Sequence, residues 1–136
     1  AIEYLSAIAH ADPADHVTHA TIGSIYYRQK KYSEAAIWFK RSVAANPEFT
    51  PAWISLSQSQ YAQKEYEPAI ESCKKVIKLD PNSAVAFYIL GEAYLQKNDV
   101  TKAKIELAEI GRICGGDACQ DYRDLAKEIS AHEVRG

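Results

Sequence analysis

Pro13, Pro47 and Pro81 stand 34 residues apart, and the chain repeats itself on that interval. The period places Gly23 over Ser57 and Gly91, Ile22 over Leu56 and Leu90, and Ala35 over Ala69 and Ala103. It also places Phe39 over Cys73 and Leu107, and His19 over Trp53 and Phe87. A unit this short cannot bury a core alone, so each must close its apolar face on a neighbour. Within the third unit Phe87, Leu90, Gly91 and Tyr94 recur at i, i+3, i+4 and i+7, one face of a helix. Polar turns at Gln29-Lys30-Lys31, Gln63-Lys64-Glu65 and Lys97-Asn98-Asp99 divide each unit into two helices, and Pro68 fits the first turn of its own. Gly23, Ser57 and Gly91 are small where a neighbouring helix must come close.

These residues resemble the tetratricopeptide repeat family, whose pattern runs aromatic, Leu-Gly, Tyr, then Ala, a large apolar residue, Ala and Pro. Trp53, Leu56 and Ser57, then Phe87, Leu90, Gly91 and Tyr94, with Gly23, Tyr26, Ala35, Phe39, Ala69 and Ala103, fill those places. His19, Gln60 and Ser42 depart from it. The resemblance implies an all-α fold: a right-handed α-solenoid of antiparallel helix pairs with a concave inner groove. It implies one domain over residues 1–136, with the second helix of a truncated repeat at 1–13, full units at 14–47, 48–81 and 82–115, and a capping helix at 117–132.

The ends follow from the register. Ala1, Leu5, Ile8 and Pro13 precede Ala35, Phe39, Ser42 and Pro47 by one period, so the chain opens halfway through a unit. The expectation is a fragment of a longer repeat protein, or a face that meets another chain, since an open repeat leaves apolar surface. Asp117-Ala118-Cys119-Gln120 has the form of a capping box. Behind it Tyr122, Leu125, Ala126 and Ile129 make an apolar stripe, while Asp121, Arg123, Asp124, Lys127 and Glu128 face elsewhere. The tail after Ser130 is polar and expected to fray.

The residues give no support for catalysis. A net charge of −2 offers no electrostatic reason for nucleic acid, and no apolar run is long enough to span a bilayer. His16 and His19 lie three apart, with His10 upstream, but no cysteine or carboxylate spacing completes a ligand set; they read as packed or solvated side chains, and no metal or cofactor is expected. Gly115-Gly116 is a helix stop, not a phosphate loop. Cys73 takes a packing position and reads as a buried thiol. Cys114 and Cys119 flank a glycine turn where Asp80-Pro81 and Asn46-Pro47 stand one and two periods earlier. A disulfide between them is expected ahead of a free thiol pair or of two ligands in a four-coordinate metal site. A bridge would place the chain in the periplasm or another extracytoplasmic space, with the cytoplasm as the alternative. The segment around Ile113, Cys114, Cys119, Tyr122 and Leu125 is also similar to the C-terminal ends of some bacterial tetratricopeptide proteins, which are commonly exported.

In the family, partners bind across the first helix of each pair. The matching positions are Val17, Ala20, Ser24, Tyr27 and Arg28, then Ile54, Gln58, Tyr61 and Ala62, then Val85, Tyr88, Glu92, Leu95 and Gln96. Tyr27, Tyr61 and Tyr88 among small residues would offer stiff contact surfaces with polar tips. The expected function is a protein-protein interaction scaffold that takes a peptide or helix of a partner. Self-assembly through the open N-terminal end is the alternative, and a redox or metal switch at the cysteine pair a third. Family members that grip a chaperone's C-terminal carboxylate do so with lysine, asparagine and arginine. Ala20, Ser24, Ser55, Val85 and Ile89 stand in those places, so no such clamp is expected. Arg28 is the groove cation, with Glu92 expected opposite it.

Overall fold

The structure, a computed structural model, describes residues 2–11 and 14–135, with the side chains of Ile2, Glu3, Leu5, Ser6 and Ala7 described in the first helix. Ala1, Pro13 and the side chains of Ile8 and His10 lie outside the described residues. Among the described residues there are eight helices and no strand: α1 Ile2–Ala11, α2 His16–Arg28, α3 Tyr32–Ala45, α4 Thr50–Ala62, α5 Tyr66–Leu79, α6 Ala84–Gln96, α7 Val100–Cys114 and α8 Gln120–Arg135. No helix there is long and apolar enough to cross a membrane. The chain divides into two compact units, Ala1–Glu65 and Tyr66–Gly136, and the division falls at the turn between α4 and α5.

In the first unit α2 packs on α3, and α3 on α4. The core is Ala35, Ala36, Phe39, Val43, Ala52 and Leu56, with Tyr26, Tyr27, Phe49 and Trp53 against it. Gly23 is required here: a Cβ at that position would stand 2.8–3.0 Å from three atoms of the Phe39 ring. Asp15 starts α2 by accepting from the Thr18 amide at 3.1 Å and the Thr18 hydroxyl at 2.6 Å, and these bonds hold its carboxyl below the usual carboxylate range.

In the second unit α6 packs on α5, α7 and α8. Phe87, Leu95, Ala103, Ile110, Leu125 and Ile129 form its core. Leu95, read from the sequence as a groove residue, belongs to that core and is buried, because it points between α6 and its neighbours.

The polar turns have a common geometry. Lys30, Lys64 and Asn98, one period apart, take φ of +61, +63 and +62°. Each follows a helix whose last carbonyls are closed by paired bonds, as in Lys31 N–H to Tyr26 C=O at 3.0 Å and Lys30 N–H to Tyr27 C=O at 2.9 Å. The Asn46 and Asp80 side chains also share a role, accepting from the amides two residues on at 3.2 and 3.1 Å. At the third such place the chain uses other means: Gly115 and Gly116 are both left-handed, and a disulfide joins Cys114 to Cys119 with their Cα atoms 6.1 Å apart.

That turn corrects two sequence expectations. Asp117 does not cap α8; the helix begins at Gln120, and its first bond runs from the Arg123 amide to the Cys119 carbonyl at 3.3 Å. Residues 117–119 lie instead in the turn that the Cys114–Cys119 bridge closes. The end of the chain is helical to Arg135 instead of fraying after Ser130. His132 Nε2 meets Asn98 Oδ1 at 3.0 Å and Glu133 pairs with Lys104 at 2.9 Å, tying the last turn to the second unit.

Candidate functional site

The helical spacing that buries Ile22 and Gly23 on one side of α2 turns Ser24, Tyr27 and Arg28 to another. On α4 the burial of Leu56 and Ser57 does the same for Ser55 and Gln58. These five residues, with Phe39 of α3 as the apolar floor, line an open recess of about 390 Å³ in the first unit. The recess gathers four predicted groove residues, Ser24, Tyr27, Arg28 and Gln58. Val17, Ala20, Ile54 and Tyr61 share the two helices but are not among its lining, and Val17 is 53% exposed. Ser55, which the sequence placed only among the clamp positions, lines the recess, and so does Phe39, which the repeat pattern does not mark as a groove position. The pattern gives Phe39 to packing, yet the absence of a side chain at Gly23 is the signal that its ring runs beneath α2.

The Tyr27 ring meets Tyr32 edge-on, with centroids 5.2 Å apart and planes at 68°. That contact fixes its orientation. Burial, and then Tyr32, push its phenol above the usual value, so it presents an O–H at neutral pH.

The second unit treats its predicted positions differently. Tyr88 donates a hydrogen bond to Glu128 Oε1 on α8 at 3.1 Å. Glu92 is pushed up to about 8, first by burial and then by the charge and hydrogen bond of Glu128, with Asp121 adding to this and Tyr88 opposing it. Burial and the neighbouring Glu128 thus favour the protonated form of Glu92. Glu92 is therefore engaged by α8 within the second unit. Glu128, read from the sequence as facing away with the charged stripe, turns onto α6. Gln96 lines a small polar recess of about 290 Å³ with Asn98, His132 and Arg135. Val85 is partly buried near the start of α6.

His16 and His19 pack. His16 lies edge-on to Phe49 at 4.6 Å with Asn46 Nδ2 3.3 Å from its Nε2, and the buried His19 ring lies 5.7 Å from Trp38. Among the described residues no group of three or more histidine, cysteine, aspartate or glutamate side chains could hold a metal ion. Cys73 is buried in the second unit, outside the bridge.

Comparison with known proteins agrees with the repeat. A family model described as "Anaphase-promoting complex, cyclosome, subunit 3" matches residues 28–110, and one described as "Tetratricopeptide repeat" matches residues 1–48. The E3 ubiquitin-protein ligase CHIP of Arabidopsis thaliana is 26% identical over 111 residues, 79% of this chain and 40% of that protein. The anaphase-promoting complex subunit cut9 of Schizosaccharomyces pombe is 29% identical over 91 residues, 67% of this chain and 14% of that protein. The chain thus spans less than half the length of these two relatives. Among solved structures, a tetratricopeptide repeat protein of Parabacteroides merdae superposes with a TM-score of 0.87 at 19% identity, covering 99% of this chain and 53% of that one. The first repeat domain of Spaghetti (RPAP3), bound to the HSP90 peptide SRMEEVD, superposes at 0.81 and 17% identity, covering 90% of this chain and 96% of that one.

Proposed function

The chain belongs to the tetratricopeptide repeat family, and we propose that it is a non-catalytic scaffold that binds a segment of a partner protein in the recess between α2 and α4. The observation that carries the reading is the recess itself, where a braced tyrosine, the Phe39 floor, one guanidinium and three neutral polar side chains converge. Stiff aromatic surface with a few polar groups is what protein hot spots are made of. The matched relatives include a ubiquitin ligase, an anaphase-promoting complex subunit and a peptidyl-prolyl isomerase, so the scaffold is their common element and the partner is not. A photo-crosslinking amino acid at position 24 or 58, in the native cell, is expected to capture a defined partner. The same group at Ile37, which is 50% exposed outside the recess, is expected to capture none. Capture from position 37 alone would reject the recess.

The scaffold reading leaves out a grip on a chain terminus. Ala20, Ser24 and Ser55 offer no positive charge, Val85 is apolar, and Ile89 is buried. The Spaghetti domain does hold such a peptide, so that peptide is a direct probe. Its free-acid and amidated forms are expected to bind this chain equally weakly, and a tenfold preference for the free acid, about 1.4 kcal/mol, would show a clamp formed by other residues.

The Cys114–Cys119 bridge supports residence in an oxidising, extracytoplasmic compartment. Alkylation of intact cells before lysis is expected to label neither cysteine, and quantitative labelling of both would place the chain in a reducing one.

A further inference from the structure

Most serine and threonine hydroxyls of α2, α3 and α4 are engaged within the chain, Thr18 and Ser33 on the carboxylates of Asp15 and Glu34 at 2.6 and 2.9 Å. Thr21, Ser42, Ser57 and Ser59 donate to backbone carbonyls, of Val17, His16, Ile54 and Ser55, at 2.6–3.0 Å. Ser24 and Ser55, which face the recess, make no such bond among the described residues, nor does the Gln58 amide beside them. Arg28 has no ion pair among the described residues, as Lys30, Lys31 and Lys40 outside the recess have none, and it is the cation that faces the recess. The lining contains one full charge, the guanidinium, and no carboxylate.

Resting on the scaffold reading above, we propose that this recess is a receptor for the side chain of an aspartate or glutamate lying within a partner segment, seated on Arg28 and flanked by an apolar or aromatic residue. The guanidinium presents a planar fork that matches a carboxylate through two parallel bonds. Ser24, Ser55 and Gln58 supply neutral donors for its remaining lone pairs. The Phe39 floor and the Tyr27 ring, braced by Tyr32, take the neighbouring apolar side chain. A single cation matches a single carboxylate. A C-terminal acidic residue would bring two, one of them uncompensated, which favours an internal position. A cavity of about 390 Å³ lies in the range that admits a side chain and part of its neighbour.

The test is selection of phage-displayed dodecapeptides on the whole chain, on Arg28→Glu and on Ser24→Trp, with circular dichroism to show that both variants fold. The wild-type chain is expected to enrich aspartate or glutamate beside an aromatic or large apolar residue, and Arg28→Glu to enrich lysine or arginine at that place. In a synthetic, amidated copy of the selected peptide, changing the acid to its amide is expected to weaken binding by about tenfold or more, measured by fluorescence polarisation. One acid-free consensus shared by the wild-type chain and Arg28→Glu, and lost in Ser24→Trp, would overturn the acidic-side-chain proposal and leave the scaffold standing. A consensus unchanged by Ser24→Trp, or no selected peptide at all, would overturn both.

Discussion

A Cβ at position 91 is expected to destabilise the chain in the wild-type background and to stabilise it when Leu125 is alanine. Gly91 lies within α6, where replacement by alanine would ordinarily gain about 1 kcal/mol from helix propensity. Here the added atom would stand 2.6 Å from Leu125 Cδ2 and 3.2 Å from Cδ1, and Leu125 is fully buried with no space to retreat into. Overpacking of this kind costs about 1–3 kcal/mol, enough to outweigh the propensity gain. Leu125→Ala alone removes the side chain that seats α8 on α6 and is expected to cost about 2–5 kcal/mol. In the double variant the new methyl group occupies part of the cavity, the clash is gone and the propensity gain returns. Urea unfolding of the four chains should therefore give a coupling of about 2 kcal/mol or more. Costs that add to within about 0.5 kcal/mol would mean that α8 does not approach α6 at this glycine.

The close approach at Gly91 was legible in the sequence, because a small residue recurs there with the period, but its partner was not. Periodicity gives the helices and the faces they bury, since both follow from local spacing. It also located Lys30, Lys64 and Asn98 as turns, though not their left-handed backbone, which a lysine does not advertise as a glycine would. What it could not give is the rotation of an added helix outside the period. Glu128 sits one residue before the buried Ile129 and three after Leu125, so a modest rotation of α8 decides whether it faces water or α6. The structure rotates it inward, onto Tyr88 and Glu92, and two predicted groove residues of the second unit become anchors for the capping helix. In the first unit Ser24, Tyr27, Arg28 and Gln58 could be read directly, because α2 and α4 obey the register.

That inward rotation makes stability depend on pH in a direction opposite to ordinary acid denaturation. Glu92 faces Tyr88 on its own helix and Glu128 and Asp121 on α8; it is raised to about 8 from an ordinary 4.5 by burial first and by Glu128 next. Glu106 on α7 is raised to about 7, by burial and by Glu109, with Lys74 only partly opposing; it is 9% exposed, and its Oε2 has no hydrogen-bond partner. A carboxyl whose folded pKa lies above its unfolded one binds more protons when folded. Its full contribution is therefore present below pH 4.5 and is lost as pH rises through 7 and 8. Every tenfold rise in a carboxyl's proton affinity on folding is worth about 1.4 kcal/mol before screening by solvent, so a gain of about 2–4 kcal/mol is expected between pH 8.5 and pH 5. Asp15 is lowered instead, and its stabilisation is lost only below its ordinary 3.8, outside this window. Glu92→Gln and Glu106→Gln should each raise the melting temperature at pH 8.5, leave it nearly unchanged at pH 5, and together flatten the profile. A wild-type profile that is already flat, or one that both substitutions leave steep, would mean that α8 does not bury Glu92 and that Glu106 is solvated.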